Sequence, residues 1–180
     1  MRIISGRFKG KRISAPQNLP VRPTTDYAKE SLFNILNNTF HLDDCAILDC
    51  FSGTGNISYE FLSRGVKSVL SLDINAKCIN FQKKIKQELN CENFTPVNRD
   101  VFKALKDNNL GTYDIIFCDP PYDLPNITEI ADIVLNADVL TCEGWLIIEH
   151  GKSTMFNHIN YKETRKYGNV NFSIFQRKDD

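Results

Sequence analysis

From residue 46 onward the chain alternates continuous apolar runs with stretches of helical period. "AILDCF" reads as a strand and "NISYEFLSR" as a helix stopped at Gly65. "SVLSLD" is a strand, followed by a helix from about Ala76 to Leu89. "FTPVN" and "VFKALK" form the next strand and a short helix. "YDIIFCD", "ITEIADIVLN" and "GWLIIEH" add strand, helix and strand. Strands apolar throughout their length, each followed by a helix, predict a parallel sheet covered on both faces. The tail breaks this rhythm: "YKETRKYG" and "NVNFSIFQRK" read as two strands joined at Gly168-Asn169, a hairpin signal. Upstream, "RIISGRFKGKRIS" places β-prone runs around Lys9-Gly10 and reads as a β-hairpin. "NLPVRPTTD" is a proline-punctuated connector. Asp26 can cap a helix running to about Asn38, with Ala28, Leu32, Ile35 and Leu36 at helical spacing. The expectation is an α/β fold of seven strands: residues 1–25 form an extension and connector, residues 26–180 the main domain.

Charge changes this picture at one end. The 180 residues carry no net charge, yet residues 1–25 hold Arg2, Arg7, Lys9, Lys11, Arg12 and Arg22 and no acid. The remainder is therefore acidic, and a basic arm on a neutral protein points to a polyanionic partner; its bland alternative is a solvated basic hairpin. The opening "MRIISGRFKGK" has no apolar stretch of signal-peptide length and nothing approaches a membrane span, so a cytoplasmic protein is expected. Cys45, Cys50, Cys78, Cys91, Cys118 and Cys142 form no C-x-x-C pair and mostly sit in apolar patterns, which predicts reduced, buried thiols. His41, His150 and His158 share no ligand spacing with them, so no metal site is expected.

The strand ends carry the candidate chemistry, because open α/β sheets bind ligands beyond the carboxyl ends of their strands. "LDCFSGTGN" places Gly53 and Gly55 in the turn before a helix. A lone G-x-G is equally a tight turn. The third glycine of the dinucleotide fingerprint is missing, since position 58 is serine. Asp49 lies four residues before Gly53, where its charge opposes a pyrophosphate and suits an ammonium group. Asp73 ends the second strand 20 residues after Gly53, the spacing of a ribose-hydroxyl acceptor. A ligand with a ribose, a cationic amino-acid part and no phosphate is S-adenosylmethionine. "NRDVF" and "FCDPPYD" put polar or aromatic groups at two further strand ends, which core packing does not require. In the second of these, proline geometry holds Asp119 extended and keeps the Pro120 carbonyl out of any ladder.

These residues reach a known family. "RIISGRFKGKRI", "RPTTDYAKESLFNIL", "LDCFSGTGNISYEFLSRG", "NRDVFKAL", "DPPY" and "LIIEHG" together closely resemble the bacterial RsmD family of small-subunit ribosomal RNA guanine-N2 methyltransferases, within the class I methyltransferases. The chain departs from the pattern at Ser58, where glycine is frequent, and at Asn75, where a second acid is common. The resemblance implies a Rossmann-like sheet and methyl transfer from S-adenosylmethionine to the N2 amine of guanine 966 in 16S ribosomal RNA. It implies a monomer acting on ribosomal RNA in the small subunit, with Asp119, Pro120, Pro121 and Tyr122 as the catalytic quartet. It adds Phe51, Ile74, Asp100, Val101 and Thr24 to the cofactor contacts Asp49, Gly53, Gly55 and Asp73. Arg2, Arg7, Lys9, Lys11, Arg12 and Arg22 then become RNA contacts; Arg22 and Thr24 could equally serve to dock the hairpin.

The chemistry fits those residue types. An exocyclic amine is a weak nucleophile because its lone pair is delocalised. The Asp119 carboxylate and Pro120 carbonyl can accept its two N–H groups, and Tyr122 can stack on the extruded base. Two other readings stay open from sequence: an adenine-N6 methyltransferase, whose target suits the same quartet, and a non-catalytic RNA-binding assembly factor.

Overall fold

The computed structural model describes residues 1–16, 19, 24–107 and 109–177. Its centre is a seven-stranded sheet in the order β3-β2-β1-β4-β5-β7-β6. The strands are β1 (Ala46–Cys50), β2 (Ser68–Asp73), β3 (Phe94–Asn98), β4 (Tyr113–Cys118), β5 (Leu140–His150), β6 (Tyr161–Tyr167) and β7 (Val170–Gln176). The first five run parallel, and β7 and β6 close the edge antiparallel. Chain order reverses direction between β1 and β4. Such a reversal opens a crevice at the strands' carboxyl ends. Register sets Cys50 level with both Leu72 and Cys118, so three strand ends meet at that crevice.

The helices are α1 (Asp26–Thr39), α2 (Asn56–Ser63), α3 (Ala76–Leu89), α4 (Val101–Leu105) and α5 (Glu129–Asn136). One sheet face buries Ile47, Ile115, Ile147 and Phe172 against α1, α2 and α3; the other buries Leu48, Ile116 and Ile148 against α4 and α5. Alternation along β1 sends Ile47 and Asp49 to the first face and Leu48 to the second. The helix from residue 26 is capped by Thr25, whose hydroxyl accepts the Ala28 N–H. Asp26, expected as the cap, is instead the first helical residue. Phe33 belongs to the buried stripe, whereas Ile35 is only half-buried.

The N-terminal arm also differs from a ladder of strands. Its limbs meet in a single antiparallel bridge, Arg2 opposite Arg12, and residues 5–10 form turns. The extra turn residues follow from docking. Glu60 on α2 accepts the Ile4 and Ser5 N–H groups at 2.8 and 3.0 Å, and the Arg7 N–H donates to the Ser63 carbonyl. A side chain at Gly6 would collide with that carbonyl, 1.9 Å from an added Cβ. The arm thus pairs with itself near its base, through backbone bonds between Ile3 and Lys11 and between Met1 and Ile13, and follows the backbone of α2 beyond it. Ile3 and Ile13 anchor it in the core. Five cysteines are buried as expected; Cys142 is exposed, in the irregular start of β5.

Candidate active site

A cavity of about 530 Å³ opens over the ends of β1, β2 and β4. Its walls include Thr24, Asp49, Phe51, Gly53, Asp73, Ile74, Asp100, Val101, Asp119, Pro120, Pro121 and Tyr122. Residues separated by up to 98 positions in sequence are therefore neighbours. Gly55 does not line it. An added Cβ there would press on the Tyr59 ring at 2.8 Å, so its absent side chain serves the turn beneath the cavity.

The loop after β1 is held in an unusual backbone. Phe51, Gly53 and Gly55 all adopt positive φ, at 58°, 53° and 85°. For Phe51 this is a costly conformation for a side-chain-bearing residue, of the kind that collects at functional sites. Three contacts enforce it. The Ser52 N–H donates to the Leu72 carbonyl, and the Asp73 carboxylate accepts the Gly53 N–H at 2.8 Å. Gln82, fully buried on α3, donates to both the Gly53 carbonyl and the Ser52 hydroxyl. Asp73 uses its other oxygen for the Asn75 N–H at 2.7 Å. It is a loop anchor as well as a cavity acid. Asp100 likewise caps α4 through the Lys103 N–H.

Asp49 is treated differently. It is 1% exposed and accepts the Ser58 hydroxyl at 2.5 Å. Burial pushes its carboxyl up from 3.8 to about 7; the Ser58 hydroxyl and N–H pull it down, and Asp73 adds repulsion. No ion pair includes Asp49 among the described residues. Asp119 is also raised, first by burial and then by the Glu149 and Asp49 carboxylates. Glu149 is the residue after Ile148, which pairs with Cys118, so the two acids end adjacent strands. The Thr24 hydroxyl donates to Glu149 at 2.9 Å. Next to Asp119, the Pro121 carbonyl is occupied by the Leu124 N–H, while that of Pro120 accepts no hydrogen bond among the described residues. Tyr122 is 58% exposed, and its ring lies near Gly151.

The basic residues are not gathered in one place. Arg2 and Arg12 lie at the base of the arm, where Thr54 borders both the cavity and the adjoining groove. The Arg7 guanidinium donates to the Cys91 sulfur and lies over Phe8, and Lys11 also bears on Cys91, just before β3. That is the opposite end of the sheet. Arg22 falls outside the described residues.

Sequence reading missed Ser58 as a partner of Asp49, and missed Gln82, Glu149, Lys29 and Glu60. Lys29 is fully buried, donating to the Arg2 carbonyl and the Asn56 side chain beside Glu60. The legible signal was polarity inside an apolar stripe: Gln82 falls among Cys78, Ile79, Ile85 and Leu89 on α3.

With this geometry in view, comparison with known proteins is informative. The family model described as "Conserved hypothetical protein 95" matches residues 1–176. The ribosomal RNA small subunit methyltransferase D of Buchnera aphidicola subsp. Baizongia pistaciae is 31% identical, over 97% of this chain and 91% of that protein. The chain belongs to the RsmD family. The namesake from Haemophilus influenzae is 35% identical over 81% of this chain and 73% of its own length. Among solved structures, Escherichia coli yhhF superposes with a TM-score of 0.86 at 26% identity, covering 100% of this chain and 99% of that one. This RsmD-family chain has the Rossmann-like methyltransferase fold, with the terminal antiparallel hairpin.

Proposed function

We propose that this chain transfers a methyl group from S-adenosylmethionine to the N2 amine of a guanine in small-subunit ribosomal RNA, guanine 966 being the position the family resemblance implies. The observation that carries the reading is the charge of the cavity. Its described walls hold Asp49, Asp73, Asp100 and Asp119 and no lysine, arginine or histidine. Such a site repels phosphate groups and favours a cation. The cofactor fits: Asp49, which no described cation compensates, is favoured in its ionised form by a bound cation, Asp73 stands where ribose hydroxyls need an acceptor, and Phe51, Ile74 and Phe102 provide apolar wall for a purine.

When bound, S-adenosylmethionine supplies an electrophilic methyl group on a sulfonium centre. The protein's task is positioning and proton handling. Asp119 and the Pro120 carbonyl accept the two N–H groups of the target amine and concentrate its lone pair on the nitrogen. Tyr122, at the rim, stacks on the base once it leaves its helix. As the nitrogen takes up the methyl group, one N–H proton becomes acidic and passes to the Asp119 carboxylate. A carboxylate whose proton affinity is raised by burial and by Glu149 accepts it better than an ordinary one.

The test is incubation with labelled S-adenosylmethionine and unmodified small subunits, followed by nucleoside mass spectrometry and mapping. N2-methylguanosine, absent with Asp119→Ala, is expected. N6-methyladenosine would redirect the reading to adenine, and no transfer despite cofactor binding would favour a scaffold role.

A further inference from the structure

We propose that the groove at the base of the arm, between Arg2 and Arg12, holds a backbone phosphate of the RNA next to the extruded base. This rests on the RNA-methyltransferase reading above and assigns the contact to two of the arm's cations while excluding its tip. The groove encloses about 870 Å³ and is bounded by Met1, Arg2, Arg12, Ser14, Pro16 and Asp26, among others. Thr54, in the loop after β1, forms part of both groove and cavity, so the two adjoin.

The arm's geometry leaves a cation there without an ionic partner among the described residues. Ile3 and Ile13 are buried, so their neighbours Arg2 and Arg12 alternate outward, directly opposite one another in the bridge. Like charges facing across a strand pair repel. Asp26 neutralises Arg2 at 3.1 Å, whereas Arg12 makes no ion pair among the described residues. An anion seated between them supplies the counter-charge that Arg12 lacks among the described residues. The neighbouring cavity cannot take it, because four aspartates line its walls. A neutral base can enter the cavity while its phosphodiester stays outside, at the groove.

The tip is badly placed for this contact. From its base the arm runs along α2, which starts at the cavity and ends about 12 Å away at 1.5 Å per residue. Residues 7 and 8 bond to Ser63 at that far end, and Arg7 and Lys11 cluster around Cys91. Lys9 lies in the turn between them.

The experiment is salt titration of binding to unmodified small-subunit ribosomal RNA, comparing Arg12→Ala with Lys9→Ala/Lys11→Ala in the full chain. Arg12→Ala should weaken binding roughly three- to fivefold and lower the log–log salt slope by about 0.7, one contact on a single strand. Arg12→Lys should restore most of the slope, and cofactor affinity should be unchanged in all variants. The double lysine variant should differ little from the parent. An unchanged slope in Arg12→Ala, or an equal loss in the lysine variant, overturns the proposal while leaving RNA binding intact. Loss confined to assembled subunits, with naked RNA unaffected, would assign the groove to a protein surface and overturn it too. Absence of any RNA binding by the parent chain would remove the underlying reading.

Discussion

Replacing Asp49 with asparagine should make the ligand-free protein more stable at pH 8, less so at pH 5, and leave it nearly unchanged only once pH falls below the ordinary carboxyl value of 3.8. The reasoning starts from its surroundings. Asp49 is buried; it faces the Ser58 hydroxyl on α2, the Asp73 carboxylate at the end of β2 and the Asp119 carboxylate after β4, and no described cation compensates it. Its carboxyl therefore holds a proton up to about 7, against 3.8 ordinarily. Between those values the folded chain binds more protons than the unfolded chain, so stability falls as pH rises through this window and is flat above it. At 1.36 kcal/mol per pH unit, the rise corresponds to up to about 4 kcal/mol lost by pH 8. Asparagine stays neutral and still accepts the Ser58 hydroxyl, so it mimics the protonated acid.

Urea denaturation from pH 5 to 8, read as the difference between wild type and Asp49→Asn, isolates this residue from other titrating groups. The separation should be about 1.6 kcal/mol at pH 5 and grow to about 4 kcal/mol by pH 8. Saturating S-adenosylmethionine should shrink the separation, because a bound cation favours the ionised carboxylate that asparagine cannot supply. Parallel curves without ligand would refute the reasoning: Asp49 would then be ionised throughout, or equally perturbed in the unfolded chain.

Asp119→Ala should abolish turnover while calorimetry shows little change in cofactor affinity; Glu149→Gln should move the acid limb of the pH–rate profile to lower pH, since a negative neighbour that raises Asp119 is gone. Asp73→Ala should weaken cofactor binding at least roughly tenfold, given about 1.5–3 kcal/mol for hydrogen bonds to a charged group, and should also free the Gly53 N–H. Glu60→Gln should destabilise the fold by about 3–5 kcal/mol in urea, because Lys29 and Arg64 lose the acid that offsets their burial.

Much of the fold was legible because its signals are local. β2, α3 and β3 fall where apolar runs and the Asn75 cap put them, and the closing hairpin turns at Gly168-Asn169. The cavity acids were legible because strand ends are where ligands bind in such sheets. What stayed hidden depends on contacts between distant segments. Thr25 displaced Asp26 as the cap because its hydroxyl reaches Ala28 from outside the helix. The arm reads as a hairpin by alternation and pairs at its base, but Glu60, 55 or more residues away, takes the N–H groups of Ile4 and Ser5. Lys29 and Glu60 look like exposed helix charges until α1, α2 and the arm are stacked together.

The same contacts explain why charge is separated across so small a surface. Asp73 spends both oxygens on backbone N–H groups, so the loop's shape is fixed before any ligand arrives. Asp49 and Asp119 are left with less compensation, so the cavity's electrostatic potential favours a cation. That field would expel an RNA backbone entering with its base. Under the proposed reading, a groove carrying Arg2 and Arg12, meeting the cavity at Thr54, would resolve the conflict by giving the phosphate a seat outside. Lys29 fits this division: its ammonium fastens the Arg2 carbonyl of the arm to Asn56 at the start of α2. It thereby holds the cationic groove in register with the loop that shapes the anionic cavity.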